Sequence, residues 1–183
     1  MSIIKHPEQR VGVFIDIQNL YHSAKNLYRR KVNFGNIIAD GVGNRKLIRA
    51  FSYAITTEEG TELDFFEALE KQGIETRSKA LQIFAGGSKK GDWDVGMAID
   101  AVRLAPKLDT IILVTGDGDF IPLVEYLQVN AGCQVEVMTF GKSASQKLIE
   151  AADEFFDLDK NPKKYLLGGT TRKKRSAPKS RRG

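Results

Sequence analysis

The chain has 183 residues, of which 42% are hydrophobic, enough for one domain with a real core. Its longest apolar runs are strand-sized, so nothing resembles a membrane span, and MSIIKHPEQR lacks a charged-then-apolar signal layout; a cytoplasmic protein is expected. The net charge of +5 is split: residues 160–183 hold ten Lys and Arg and no acid, leaving 18 basic against 23 acidic residues in 1–159, a net of −5.

VGVFI (11–15) is an unbroken apolar run with β-branched residues, the pattern of a buried strand. IQNLYHSAKNLYRR follows as a helix, with Leu20, Ala24 and Leu27 at helical spacing. Residues 30–48 are irregular, and Ile37 and Ile38 allow a short helix there. LIRAFSYAIT (47–56) is the second strand, and 61–72 is a helix with a loose capping box at Thr61 and Asp64 and a stop at Gly73. IETRSKALQIFA (74–85) is the third strand, with a break near Ser78, and GGSKKGD is a Gly/Lys loop. Residues 93–104 form a helix with Val95, Ala98, Ile99 and Val102 on one face. TIILVT (110–115) is the fourth strand, 120–130 a helix stopped by Gly132, and QVEVMTF (134–140) the fifth strand. A last helix spans 143–152, and FFDLD adds a short final strand.

Strands alternating with helices predict a doubly wound α/β sandwich, with a mainly parallel central sheet and helices on both faces. One domain is expected over residues 1–160. The basic tail, 161–183, is dominated beyond Leu167 by Gly, Thr, Ser, Pro, Lys and Arg and is expected to be disordered.

ILVTGDGDF (112–120) runs a strand straight into Asp117 and Asp119. Ligands of open parallel sheets bind outside the carboxyl ends of the strands. Other acids fall at that same edge: Asp16 closes the first strand, and Asp92 and Asp94 open the helix after the Gly/Lys loop. Where strands one and four are neighbours, Asp16 and Asp117 lie side by side. Close carboxylates repel, and a hard divalent cation relieves them. With one cysteine, Cys133, and two histidines, His6 and His22, no thiolate or imidazole cluster is available, which leaves Mg2+ or Mn2+. A metal so held acidifies a bound water and stabilises charge on a phosphoryl oxygen, chemistry suited to phosphodiester hydrolysis. Each acid taken singly also has a plain structural role: strand-end aspartates form turns and caps, and Asp119 is spaced to cap a helix at Phe120.

Three segments in this order, VFIDIQNLY, KKGDWDVGMAIDAVRLA and DTIILVTGDGDFIPLVEYLQVNAGCQVEV, resemble the NYN domain family, in its bacterial LabA-like branch, within the PIN-like nuclease fold. The likeness covers roughly residues 10–158 and rests on the combination of a D-x-x-N-L and an S/T-G-D-x-D-F-x-P-L pattern. It implies a doubly wound α/β domain, an acidic cluster binding Mg2+ or Mn2+, and ribonuclease activity. By motif, Asp16 is the first-strand acid and Asn19 its polar partner. Asp94 is the acid of the K-G-x-D-V segment, Asp100 the later acid of that helix, and Asp117 and Asp119 the final pair. The sequence departs from the pattern in reading GDWDV, so Asp92 competes with Asp94 for the metal. Asp100 lies about 120° round the helix from Asp94 and has Arg103 as an alternative partner at i+3. The expected catalytic set is Asp16, Asp94, Asp117, Asp119 and Asn19, with the four aspartates as metal ligands. In-line attack of water on phosphorus would leave 5′-phosphate and 3′-hydroxyl ends.

Thr115 can orient Asp117 or contact a phosphate, although a strand-end threonine needs no such role. Lys89 and Lys90 can neutralise a phosphate or simply solvate a loop, which is not a Walker motif. Trp93 can stack on a base or join the core. Arg172, Lys173, Lys174 and Arg175 make the tail a polycation that adds salt-dependent affinity for RNA, expected to be single-stranded. PIN-like domains often pair, so a homodimer is compatible with the resemblance; a membrane is not an expected partner. An aspartyl-phosphate phosphatase needs a second acid two residues after the first, where Gln18 stands. A Toprim-like domain needs a glutamate where Asp16 stands. The alternative that survives is a non-catalytic RNA-binding or regulatory module on the same fold.

Overall fold

In a computed structural model, which describes residues 3–56, 63–80, 82–83, 89–90 and 93–168, the apolar run at 11–15 forms the heart of strand β1, Arg10–Asp16. Helix α1, Ile17–Tyr28, follows at once, then strand β2, Lys31–Val32, helix α2, Phe34–Val42, and strand β3, Lys46–Thr56. Helix α3, Leu63–Glu70, leads into β4, Ile74–Ala80, and the short strands β5, Gln82–Ile83, and β6, Lys89–Lys90. Helix α4, Asp94–Leu104, precedes β7, Thr110–Val114, helix α5, Ile121–Val129, and β8, Gln134–Thr139. Helix α6, Gln146–Ala151, strand β9, Glu154–Asp157, helix α7, Pro162–Tyr165, and β10, Leu166–Leu167, complete the order.

Six strands make one parallel sheet in the order β4-β3-β1-β7-β8-β9. The chain steps outward from β1 through β3 to β4, returns to β7 on the other side of β1, and steps outward again. Winding therefore reverses between β1 and β7, the topological switch point of a doubly wound sheet. Both faces of β1 are covered. Val11, Val13 and Ile15 share a core with Leu20 and Ala24 of α1 and Ile37 of α2, while Phe14 shares the opposite core with Met97 and Ala101 of α4 and Leu127 of α5. A strand with no wet side reads as a continuous apolar run rather than an alternation, which is why this one is so plain in the sequence.

Two antiparallel ladders stand apart from the sheet, β2 with β10 and β5 with β6. Near the amino ends of the strands, the buried Arg45 guanidinium donates to Glu136 Oε1 at 2.5 Å and to the carbonyls of Gly41 and Val42.

Several expectations shift. β4 runs unbroken through Ser78, which pairs with Ala54, and stops at Ala80. The Gly/Lys loop contains a strand, since Lys89 and Lys90 pair with Ile83 and Gln82. Helix α4 buries Met97 and Ala101, whereas Val95 is 70% and Ile99 45% exposed. This helix is apolar on more than one side, so spacing alone admits two stripes, and the position of the sheet selects one. Leu27 likewise falls on the outer side of α1. The proposed cap at Thr61 and the tail beyond Gly168 lie outside the described residues.

Candidate functional site

Asp16 ends β1 and caps α1. Its backbone is extended and its Oδ1 accepts the N–H of Asn19 at 3.0 Å, so the D-x-x-N spacing is that of a cap reaching the third helical residue. The β1–β7 register sets Ile15 opposite Val114. Asp16 and Thr115 thus leave the sheet side by side. The Thr115 hydroxyl donates to Asp16 Oδ2 at 3.3 Å and accepts the N–H of Asp117 at 3.3 Å. Asn19 Oδ1 accepts the N–H of Gly116 at 2.8 Å. These bonds stitch the two strand ends together across the switch point.

Asp117 then caps the 3-10 turn Gly118–Phe120, its Oδ1 accepting the N–H of Asp119 at 3.0 Å. The capping role suggested for Asp119 therefore belongs to Asp117. Gly116 suits a close approach: a Cβ there would lie 3.1 Å from Ala144 Cα and 3.2 Å from Thr139 Oγ1, so these neighbours would have to give by a few tenths of an ångström.

Asp16, Asn19, Asp94 and Asp117 line one cleft of about 180 Å³, room for several waters at about 30 Å³ each. Gln18, Tyr53, Ile55 and Trp93 complete its wall. Burial pushes the Asp16 carboxyl above the ordinary carboxylate range; the Asn19 N–H and Thr115 hydroxyl oppose that rise, and the charge of Asp117 adds to it. An acid in this state gains from a cation nearby.

The remaining expected residues separate. Asp94 opens α4 at the cleft and is half-buried. Asp119 is exposed and does not line the cleft. Asp100 accepts the Tyr53 hydroxyl at 3.0 Å and pairs with Arg77 Nε at 3.0 Å, so its partner is Arg77 of β4 rather than Arg103. Burial, then the charge of Asp100, pushes the Tyr53 hydroxyl well above its ordinary value. Trp93 joins the core. Its indole N–H donates to the Ala54 carbonyl at 2.9 Å and its ring packs on Tyr53 and the core, while it also lines the cleft. Asp92, Arg172, Lys173, Lys174 and Arg175 lie outside the described residues, and Lys89 and Lys90 are described only as backbone on β6.

Among the described residues, no three His, Cys, Asp or Glu side chains gather into a ready-made metal cluster. Mg2+ needs only one or two carboxylates beside its waters, so the hard oxygen donors Asp16 and Asp117 fit a hydrated ion. Sequence reasoning missed Gln18, Tyr53 and Ile55. Tyr53 and Ile55 alternate near the carboxyl end of the strand beside β1, and that position was the available signal.

The sequence profile of the NYN domain matches residues 10–159. The chain is 28% identical over 164 residues to the low amplitude and bright protein LabA of Synechococcus elongatus, a match covering 82% of this chain and 84% of that one. It is 28% identical over 171 residues to MJ0482, an uncharacterised protein of Methanocaldococcus jannaschii, covering 86% of this chain and 62% of the relative. The crystal structure of VPA0982, a protein of unknown function from Vibrio parahaemolyticus, superposes with a TM-score of 0.80 at 32% identity, covering 90% of this chain and 100% of that one.

Proposed function

Because the chain belongs to the NYN domain family, a PIN-like nuclease family, we propose that it is a metal-dependent ribonuclease working at the cleft between the ends of β1 and β7. The observation that carries this reading is the half-buried Asp16 held beside the Asp117 loop at the switch point, with its proton affinity raised. Asp16 and Asp117 would hold Mg2+ or Mn2+, with Asp94 as a third acid facing the same space. When bound, the ion supplies positive charge to a phosphoryl oxygen and acidifies a water. Thr115 and Asn19 fix the two strand ends, so the carboxylates need no rearrangement when substrate arrives. Trp93, half-buried in the cleft wall and backed by the buried Tyr53 ring, would offer aromatic surface for an unpaired base. Lys89, Lys90 and the basic tail would neutralise neighbouring phosphates, and 5′-phosphate and 3′-hydroxyl ends are the expected products. Among the described residues no helix is long and apolar enough to cross a membrane, and we assign the activity to the cytoplasm.

The test is incubation of end-labelled single-stranded RNA and DNA with Mn2+, Mg2+ or EDTA, beside Asp117→Asn. RNA cleavage that requires metal and disappears in the variant is expected. Cleavage that survives EDTA or the substitution would refute the assignment. The absence of a ready-made cluster of three acids among the described residues favours a second reading, a non-catalytic RNA-binding module. It predicts RNA binding that Asp117→Asn retains and no cleavage with either metal.

A further inference from the structure

The arginines in and beside the described sheet are committed to acids. Arg10 pairs with Asp109, Arg45 with Glu136, Arg49 with Glu75 and Arg77 with Asp100. The far end of α1 is different. Lys25, Arg29, Arg30 and Lys31 cluster there, and none has a carboxylate within ion-pair distance among the described residues. Lys25, Arg29 and Lys31 are exposed.

Arg29 is unusual in its backbone as well. It caps α1 with φ 55° and ψ 36°, the one non-glycine residue of positive φ among the described residues. Helices commonly end in this left-handed conformation, but on glycine or asparagine, because a Cβ makes it costly. Local backbone strain of this kind clusters at functional positions. The helix dipole does not account for the group: Lys25 already lies in the last turn, where a cation is favoured, and Arg29, Arg30 and Lys31 follow the helix.

The β2–β10 ladder brings the C-terminal segment to the same place. Leu166 pairs with Val32 and Leu167 with Lys31 in antiparallel register, so the chain heads toward Arg30 as it reaches Gly168. Residues 169–183, with seven Lys and Arg and no acid, begin from there. Lys142 approaches from another element, its ammonium 5.6 Å from the centroid of the Tyr28 ring, but it donates to the Tyr28 hydroxyl beside the Asp159 carboxylate and so stands apart from the other four cations.

We propose that the end of α1 forms a phosphate-binding platform for RNA, distinct from the cleft. Twelve helical residues at about 1.5 Å each set it about 18 Å from Asp16. It holds the polymer by its backbone and reads no bases. The proposal rests on the ribonuclease reading for its ligand but not for its chemistry, so it is tested by binding without cleavage.

Full-length Asp117→Asn protein is titrated with fluorescent single-stranded RNA across a salt series, with and without Arg29→Gly, Arg30→Ser and Lys31→Ser together. Each phosphate contact to a single strand contributes about 0.7 to the slope of log affinity against log salt, so losing three flattens the slope by about 2. Arg29→Gly alone controls for folding: glycine tolerates the left-handed backbone, so Tm holds or rises while RNA affinity falls. Unchanged affinity and slope, with Tm held or raised, would overturn the platform and leave the cations a merely structural role. Vesicles containing phosphatidylserine are the competing polyanion. Binding to them tighter than to RNA, and lost on the same substitutions, would overturn RNA as the occupant. Failure of hydrolysis in the cleavage assay leaves this result standing, and success there does not supply it.

Discussion

Replacing Asp16 by asparagine separates what the acid costs the fold from what it does for the site. Asp16→Asn keeps the size and an oxygen to accept the Asn19 N–H, and asparagine caps a helix as well as aspartate does. It removes the charge that burial disfavours. Because the folded-state pKa lies above the unfolded value, the native protein binds the Asp16 proton more tightly than the unfolded chain. Ionisation therefore lowers stability as pH rises from the ordinary carboxylate value, about 3.9, to the higher folded value, and the full penalty is present at neutral pH. A tenfold difference in proton affinity is worth about 1.4 kcal/mol. In EDTA at pH 7 the variant is expected to be the more stable of the two, because burial raises the Asp16 pKa and the charge it disfavours is gone. The gap should close below about pH 4, where the carboxyl is protonated in both states. Mn2+ should reverse the order: a cation at a hundred times its Kd adds about 2.7 kcal/mol to the protein that binds it. Calorimetry across pH, with EDTA or Mn2+, reads all of this. A parent more stable than the variant in EDTA at pH 7, or a gap that ignores pH, would refute the burial argument. Equal stabilisation of both proteins by Mn2+ would refute Asp16 as a ligand.

Gly116→Ala should cut turnover far more than it lowers Tm, because its Cβ must displace the backbone at Ala144 and disturb the 2.8 Å bond from the Gly116 N–H to Asn19. Unchanged turnover would show that the β7 loop has slack. Arg45→Ala strands the buried Glu136 carboxylate with only Lys5, at 3.2 Å, and should cost about 3–5 kcal/mol by urea denaturation. A loss under about 1 kcal/mol would show that Lys5 suffices.

The parts of the molecule legible in its sequence are those governed by local rules. The β1 and β7 runs are buried on both faces, and aspartates at their ends mark the switch point because topology alone brings them together. Less legible are the choices made by distant partners. Asp100 was matched to Arg103 on its own helix, but Arg77 of β4 reaches it because a half-buried acid follows the geometry of the sheet. The apolar stripe read on α4 divides: Ala98 and Val102 pack against the core, whereas Val95 and Ile99 face out, and the sheet covers Met97 and Ala101 instead. Asn19 was expected as the polar partner of Asp16; its backbone N–H does donate to that carboxylate, while its side-chain oxygen takes the Gly116 N–H, a bond 97 residues distant that no spacing rule anticipates.

That joining of distant segments has a consequence for how the protein is made. Thr115 and Asp16 are 99 residues apart, so at about 5–20 residues per second a ribosome needs about 5–20 s to go from one to the other. Until β7 is made, β1 can have at most β3 beside it, and its other edge lacks the partner it has in the finished sheet. The Ser145 N–H, which bonds the Gly116 carbonyl at 2.9 Å, is translated later still. No acidic cleft can exist on a half-made chain, because the segments that close it are translated so far apart.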